Sequence, residues 1–156
     1  MKTTSIRTFF ALPVLGLALA SAALAADFQS TPVQNARSDD FSVGKQAIAA
    51  KNWSLAASSF SKVVAQDPKN ADAFNYLGYS SRWMGKYDEA FAAYGKALAL
   101  DPQHKGALSY SGIAYLKTGQ RNQAEAQLAK LQSLCAGCTE TSELAKAMAD
   151  SKTAAQ

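Results

Sequence analysis

The feature that most constrains the fold of this chain is a set of small, large and turn residues that recurs every 34 positions. Gly44, Gly78 and Gly112 lie 34 residues apart (78 − 44 and 112 − 78). Three further sets share this interval, namely Pro68 with Pro102, Ala56 with Ala90 and Ala124, and Phe60 with Tyr94 and Leu128. Self-similarity at a fixed period of this length indicates a protein built by stacking one supersecondary unit. The units have the boundaries 37–70, 71–104 and 105–138.

The middle unit has the pattern of two amphipathic helices joined by a tight turn. Phe74, Leu77 and Gly78 fall at i, i+3 and i+4, so they share one face of a helix. A glycine on that face lowers helix propensity by about 1 kcal/mol relative to Ala, and we expect close helix packing to offset this. Gly85 fits the turn, and Pro102 ends the second helix because proline cannot continue the hydrogen-bond ladder.

This unit, ADAFNYLGYSSRWMGKYDEAFAAYGKALALDP, resembles the tetratricopeptide repeat. The residues that match the large, small and turn positions of that family are Phe74, Leu77, Gly78, Gly85, Tyr87, Ala90, Tyr94, Ala97 and Pro102. The resemblance covers residues 37–138 and implies an all-α fold of three helix-turn-helix repeats, stacked as a right-handed superhelix. The outer repeats depart from the pattern, and Lys51 stands where the family has its turn glycine.

Residues 1–25 have the pattern of a secretory signal peptide. Lys2 and Arg7 form a basic head, residues 9–20 carry no charge, and Ala23-Leu24-Ala25 offers the small residues that a signal peptidase requires. The apolar stretch is short for a membrane span of about 20 residues. The sequence therefore predicts cleavage after Ala25, a periplasmic or secreted mature protein, and no stable membrane span after cleavage.

Two segments flank the repeats. Residues 26–36 show no periodicity and are predicted to form a flexible leader, whereas residues 139–156 are predicted to form a capping helix and a tail. Leu144, Ala145 and Met148 make a narrow apolar stripe on that helix, which would cover the open end of the stack.

The charge of the mature chain argues against nucleic acid as a partner. Cleavage removes two basic residues, which leaves 16 − 2 = 14 basic and 12 acidic residues and a net charge of +2. These charges are scattered, and no basic run forms the patch that binding to nucleic acid requires. Nothing in the sequence indicates self-association, although end-to-end stacking of the repeats remains a third hypothesis for function.

Cys135 and Cys138 are the two cysteines of the chain, and their spacing leaves two interpretations open. One is a structural disulfide, which an oxidising compartment favours. The other is a thiol–disulfide redox protein. The pair follows a predicted helix, whose carboxyl end disfavours a thiolate, so the structural disulfide is the preferred interpretation.

No set of residues suggests an enzyme. The single histidine, His104, is predicted to be a solvated turn residue, and two sulfurs alone do not make a zinc site. The sequence has no nucleophile motif, no glycine loop for phosphates and no clustered carboxylates. We therefore expect no catalytic residue, no metal and no cofactor.

In the family that the chain resembles, the first helix of each repeat lines a concave groove that binds a protein or an extended peptide. The residues predicted to line it are Phe41, Lys45, Ile48, Asn75, Tyr79, Arg82, Ser109, Ile113 and Leu116, with Trp83 and Tyr110 near its edge. The clamp that holds the carboxylate of heat-shock chaperones is predicted to be absent, since its slots are occupied by Phe41, Lys45, Tyr76, Gly106 and Tyr110. The resulting hypothesis is a protein-interaction module, an adaptor or scaffold in a bacterial envelope assembly.

Overall fold

The computed structural model describes residues 32–153, with side chains from 39 to 152, and this part of the chain is entirely helical apart from short turns. Its helices are α1 (Pro32–Ala49), α2 (Trp53–Gln66), α3 (Ala71–Trp83), α4 (Tyr87–Leu100), α5 (Lys105–Lys117), α6 (Arg121–Cys135) and α7 (Thr139–Thr153). Helices α1 to α6 form three successive hairpins, and each hairpin packs on the next. The prediction of an all-α stack of helix-turn-helix repeats is confirmed.

Helix α1 begins earlier than the sequence indicates. Its first residue is Pro32, so residues 32–36 are helical and the prediction of a flexible leader is wrong for them. Proline suits the first helical position because its φ angle is already helical and its missing N–H has no partner there. The predicted signal peptide and residues 26–31 of the leader lie outside the described residues, as do the last three residues of the tail.

The turn inside each hairpin uses one residue with a left-handed backbone. Lys51, Gly85 and Gly119 have φ angles of 56°, 77° and 76°, and they lie 34 residues apart. Glycine adopts this conformation freely, whereas a residue with a Cβ does so at a cost of roughly 1–2 kcal/mol. The first repeat therefore keeps the turn of the others although Lys51 replaces glycine.

His104 is the N-cap of α5. Its Nδ1 accepts a hydrogen bond from the Ala107 N–H at 3.2 Å, and its Nε2 lies 3.0 Å from Oδ1 of Asp72 on α3. Asn70, 34 residues earlier, caps α3 in the same way. The His104 side chain is only 13% exposed, so the prediction of a solvated turn residue is wrong. A helix N-terminus needs acceptors for its free N–H groups, and the ring nitrogen provides one.

The recurring glycines mark the closest helix contacts. A Cβ on Gly44 would lie 2.7 Å from a ring carbon of Phe60, and a Cβ on Gly78 would lie 2.7 Å from the Tyr94 ring. Both rings are buried, at 0% and 1% exposure. Each ring of the second helix thus lies directly on the glycine of the first, which explains why large and small residues alternate at this period.

In the third hairpin, the side chain that packs on the recurring glycine comes from outside the repeat. Leu128 stands where the earlier repeats have Phe60 and Tyr94, and it is smaller than either ring. The space beside Gly112 is taken by Leu144 of α7, whose Cδ2 would lie 2.5 Å from a Cβ on that glycine. Leu144 is fully buried. Helix α7, which corresponds to the predicted capping helix, is therefore inserted into the packing of the last hairpin and also covers its end.

Candidate functional site

Four aromatic residues form a continuous group that we call the aromatic strip: Trp53, Tyr79, Trp83 and Tyr110. The rings of Trp53 and Trp83 stack with centroids 5.1 Å apart, and those of Tyr79 and Tyr110 lie 4.8 Å apart. Tyr79 also contacts both tryptophans. Trp83 is 50% exposed, so a large aromatic surface meets solvent where α3 ends. Such a surface offers a ligand apolar area from side chains that lose little entropy on binding.

Arg82 lies against this strip. Its guanidinium carbon is 5.2 Å from the ring centroid of Tyr79 and 5.0 Å from that of Trp83, distances at which a cation is attracted to an aromatic face. No carboxylate among the described residues pairs with it. Burial raises the pKa of the Tyr94 hydroxyl well above its ordinary value, and the nearby Arg82 opposes that shift. Arg82 is thus a half-buried cation that lies against aromatic rings and makes no ion pair with a described residue.

Two predicted groove residues are buried instead of exposed. Asn75 and Ser109 occupy equivalent positions of α3 and α5, and their exposed fractions are 3% and 0%. The Asn75 Oδ1 and the Ser109 Oγ have no hydrogen-bond partner within the described chain. A buried polar atom without a partner costs about 1–3 kcal/mol, so Asn75 favours an additional donor and Ser109 an additional donor or acceptor, from water or a ligand.

The groove residues of α1 serve mainly the core. Phe41 and Ile48 pack against the buried cluster around Phe60. Lys45 remains exposed and donates a hydrogen bond to the Tyr76 hydroxyl at 2.7 Å, with its ammonium also 4.1 Å from the Tyr76 ring centroid. Of the three predicted groove residues on α1, Lys45 is the charged one.

The groove residues of α5 divide in the same manner. Ile113 and Leu116 are partly buried against the cluster formed with Leu131 and Leu144. Tyr110, predicted to lie at the edge, instead contacts Tyr79 and belongs to the aromatic strip. The structure therefore brings Tyr79, Arg82, Trp83 and Tyr110 together, while the other predicted positions either support them or lie apart.

The environment of Tyr110 includes acidic residues of α7. Burial is the main reason that the pKa of Tyr110 is raised to about 12, and the carboxylate of Glu143 is the next largest cause, followed by smaller effects that include Glu140. A nearby negative charge disfavours the tyrosinate, which is the physical sense of that contribution. Neither acid was predicted as a site residue, because the sequence pattern assigned α7 only to capping.

Trp53 was also missed, although a signal for it existed. It begins α2, and Trp83 ends α3, so two antiparallel neighbouring helices place these residues at the same end of the stack. Reasoning confined to the first helix of each repeat omitted Trp53 because it belongs to a second helix.

The two cysteines join α6 to α7. Cys135 is the last residue of α6, Cys138 directly precedes α7, and the structure bonds their sulfurs with a Cα–Cα distance of 5.5 Å, within the usual range for a disulfide. The Thr141 hydroxyl donates to the Cys135 carbonyl at 2.7 Å across the same junction. The carboxyl end of a helix disfavours a thiolate, and this argument holds for Cys135 at the end of α6. It does not hold for Cys138, because this residue lies at the N-terminus of α7, where its carbonyl accepts the Ser142 N–H as the first bond of that helix.

Within residues 32–153, none of the helices has the length and apolar character needed to span a membrane.

Comparison with known proteins supports the assignment of the fold. The family model described as tetratricopeptide repeat matches residues 84–134. No curated protein sequence matches the chain.

Several solved structures share the architecture. The TPR domain of OM64 from Arabidopsis superposes with a TM-score of 0.69 at 16% identity, covering 76% of this chain and 98% of that domain. The second TPR domain of human RPAP3, solved with an HSP70 peptide, gives 0.68 at 18% identity and covers 77% and 98% of the two chains. The Yersinia enterocolitica secretion chaperone SycD, solved with a peptide of the translocator YopD, gives 0.67 at 19% identity and covers 78% and 96%.

The 34-residue register, the stacked helix pairs and the match of residues 84–134 to the family model show that this chain has the fold of tetratricopeptide-repeat proteins.

Proposed function

We propose that this protein is a peptide-binding module that holds an extended protein segment along the aromatic strip, without catalysing a reaction. The observation that carries the proposal is the half-exposed Trp83, with Arg82 against its ring and no carboxylate of the described chain neutralising that cation. Aromatic residues and arginine are the types that dominate binding energy in protein interfaces.

Further support comes from the buried acceptors and from similar folds. Asn75 Oδ1 lacks a partner one helical turn before Tyr79 on the same face of α3, where the N–H of an extended peptide could supply the missing hydrogen. Proteins of the same fold have been solved with bound peptides, among them human RPAP3 and the chaperone SycD. A groove made from rigid helices binds with little rearrangement, which reduces the entropy cost of association.

The two tryptophans allow a direct test, because both residues of this type in the chain lie in the aromatic strip. We expect peptides selected from a random library displayed on phage to change the tryptophan emission on binding. The double variant Tyr79→Ala with Arg82→Ala should lose this binding. A matched variant, Phe91→Ala with Lys96→Ala on α4, should retain it.

Circular dichroism of each variant separates lost binding from lost folding. If the strip variant keeps its helical spectrum and still binds every selected peptide, the assignment of the surface is wrong. If the wild-type protein enriches no peptide at all, the proposal of a peptide-binding module fails.

The setting that we propose is the bacterial periplasm or the extracellular medium, in an adaptor role within an envelope assembly. The support is the basic head, apolar stretch and Ala-x-Ala site that end at Ala25. Expression of the full chain in a bacterial host, followed by mass measurement of the periplasmic protein, should give a chain that begins at Ala26. A cytoplasmic protein of full length would contradict this localisation.

We further propose that Cys135 and Cys138 have a structural role and that the thiol–disulfide redox alternative does not hold. The bond joins α7 to the repeats, and the short loop limits its stabilisation to roughly 2 kcal/mol in the chain-entropy description. Replacing both cysteines with Ser should lower the midpoint of thermal unfolding and leave peptide binding intact. Wild-type turnover in an insulin-reduction assay, absent from the double variant, would favour the redox alternative instead.

A further inference from the structure

Helix α7 runs beside α5 and brings two carboxylates to the surface proposed for the peptide. Glu140 lines an open cleft at the N-terminal turn of α5, and Leu144, one turn further along α7, packs on Gly112. Glu143 precedes Leu144 and therefore lies level with Tyr110, which falls between these two contacts along α5. The capping helix thus forms one wall of the surface at the end of the aromatic strip.

A positive charge consequently lies beside Tyr79 and a negative charge beside Tyr110. The Arg82 guanidinium is 5.2 Å from the Tyr79 ring, the Tyr79 ring is 4.8 Å from the Tyr110 ring, and the Glu143 carboxylate is near enough to Tyr110 to raise the pKa of its hydroxyl. The carboxylate of Glu143 is exposed and makes no ion pair with any described residue. No ion pair joins Arg82 to Glu143 among the described residues.

An unpaired hydrogen-bond acceptor lies beside the aromatic strip in sequence. Asn75 is 3% exposed, and its Oδ1 has no hydrogen-bond partner among residues 39–152, one turn from the Tyr79 ring. A backbone N–H is the donor that every residue of a peptide except proline can offer to such an acceptor. Asn75 stands one helical turn before Tyr79 in the same row of α3.

Resting on the proposed function, we infer that the ligand is a peptide segment of mixed charge, with an acidic residue seated at Arg82 and a basic residue seated at Glu143. The segment between them crosses the rings of Tyr79 and Tyr110 and carries apolar side chains or proline. The two ring contacts bound the path from the Arg82 guanidinium to the Tyr110 ring at about 10 Å, which an extended chain covers in about three residues at about 3.3 Å each. Complementary charges of this kind fix the register of a ligand more than they raise its affinity.

Selection of random peptides displayed on phage tests the inference on the intact protein. Wild-type protein should enrich peptides that contain both an acidic and a basic residue at a fixed spacing of about three or more positions. The variant Glu143→Lys should lose the preference for the basic residue and gain a second acidic one. The variant Arg82→Glu should change the preference at the other position and leave the basic residue near Glu143 unaffected.

A control variant shows whether the effect depends on where the charge is reversed or only on the change in net charge. Glu125→Lys makes the same change on α6, where Glu125 pairs only with Arg121, and it should enrich the same peptides as the wild type. For one synthetic peptide of the wild-type consensus, we expect Glu143→Lys to weaken binding about fivefold at low salt, the size typical of an exposed ion pair. The effect should vanish at about 1 M salt, where the Debye length falls to about 3 Å.

The outcomes separate the inference from the function on which it rests. Unchanged basic preference in Glu143→Lys, with binding still lost in the double variant Tyr79→Ala with Arg82→Ala, overturns the mixed-charge ligand and leaves the peptide-binding module standing. Enrichment of uncharged peptides by the wild-type protein would likewise overturn the mixed-charge ligand and leave the peptide-binding module standing. No enrichment by wild-type protein overturns both.

Discussion

Substitution of Gly78 by Ala should destabilise the protein, against the general trend for glycines in helices. The new Cβ would lie 2.7 Å from two carbons of the Tyr94 ring, closer than real Cβ contacts occur. The ring is 1% exposed and cannot turn away into solvent, so overpacking should cost about 2–3 kcal/mol, the upper part of the usual range. The higher helix propensity of alanine offsets about 1 kcal/mol of this cost. The expected net loss is about 1–2 kcal/mol in the free energy of unfolding.

Gly95 supplies the matched control. It lies in α4, is exposed, and a Cβ there would meet no atom within 4 Å. Gly95→Ala should therefore stabilise the protein by about 0.8–1.0 kcal/mol through propensity alone. Urea unfolding followed by far-ultraviolet circular dichroism measures both effects, provided that the slopes of the transitions agree.

A second variant background tests why Gly78→Ala should lower the free energy of unfolding while Gly95→Ala should raise it. Tyr94→Leu introduces the smaller residue that the third repeat carries as Leu128, and Gly78→Ala should then cost less than in the wild type. If Gly78→Ala raises stability as Gly95→Ala does, the close contact between helix and ring does not exist and the packing argument is refuted.

Three further predictions concern a turn, a cap and a titration. Lys51→Gly should stabilise the protein by about 0.5–1 kcal/mol, since relief of roughly 1–2 kcal/mol in the left-handed turn exceeds the entropy cost of glycine in the unfolded chain; a lower urea midpoint would contradict this. His104→Ala should cost about 1 kcal/mol by removing the N-cap of α5, while His104→Asn should cost less because Asn70 fills the equivalent position in α3; equal losses in thermal unfolding would exclude the cap. Tyr110 should titrate near 12 by NMR of ring-labelled tyrosines, so its contribution to stability is complete below pH 10 and is lost as pH rises to about 12. Glu143→Gln should lower that midpoint without returning it to the ordinary value of 10.0, because burial is the larger cause, and an unchanged midpoint would remove Glu143 from this environment.

The contacts within one repeat could be predicted from the sequence because they depend on local spacing. Gly78 and Tyr94 are separated by a turn of known type, and antiparallel helices bring them together whatever surrounds the hairpin. The same rule failed for Gly112, since Leu128 is too short to fill the space, and the residue that does so belongs to α7. The 34-residue period could not predict this residue, because α7 lies outside the repeats and the period does not specify how it packs.

The surface residues were harder to predict than the core. A row at i, i+4 and i+7 identifies one face of a helix, but it does not state how far a neighbouring repeat covers that face. Asn75 shares its row with Tyr79 on α3, and Ser109 shares its row with Ile113 on α5, yet Asn75 and Ser109 are buried while Tyr79 and Ile113 stay partly exposed. Burial of this kind depends on the rotation between repeats, a property of the stack and not of a single helix.

The packing of α7 links stability to recognition. Leu144 of α7 packs on Gly112 of the last hairpin, and this contact fixes the position of Glu143 relative to Tyr110. A chain whose third repeat carried a ring at position 128 would have no space for Leu144 and would displace the helix together with its carboxylate. Leu128→Phe should therefore shift the Tyr110 midpoint towards its ordinary value and reduce the preference for a basic residue in the ligand, although neither Tyr110 nor Glu143 is altered. If both properties survive, the small residue at 128 has no part in placing α7, and the acidic wall must be held by other contacts.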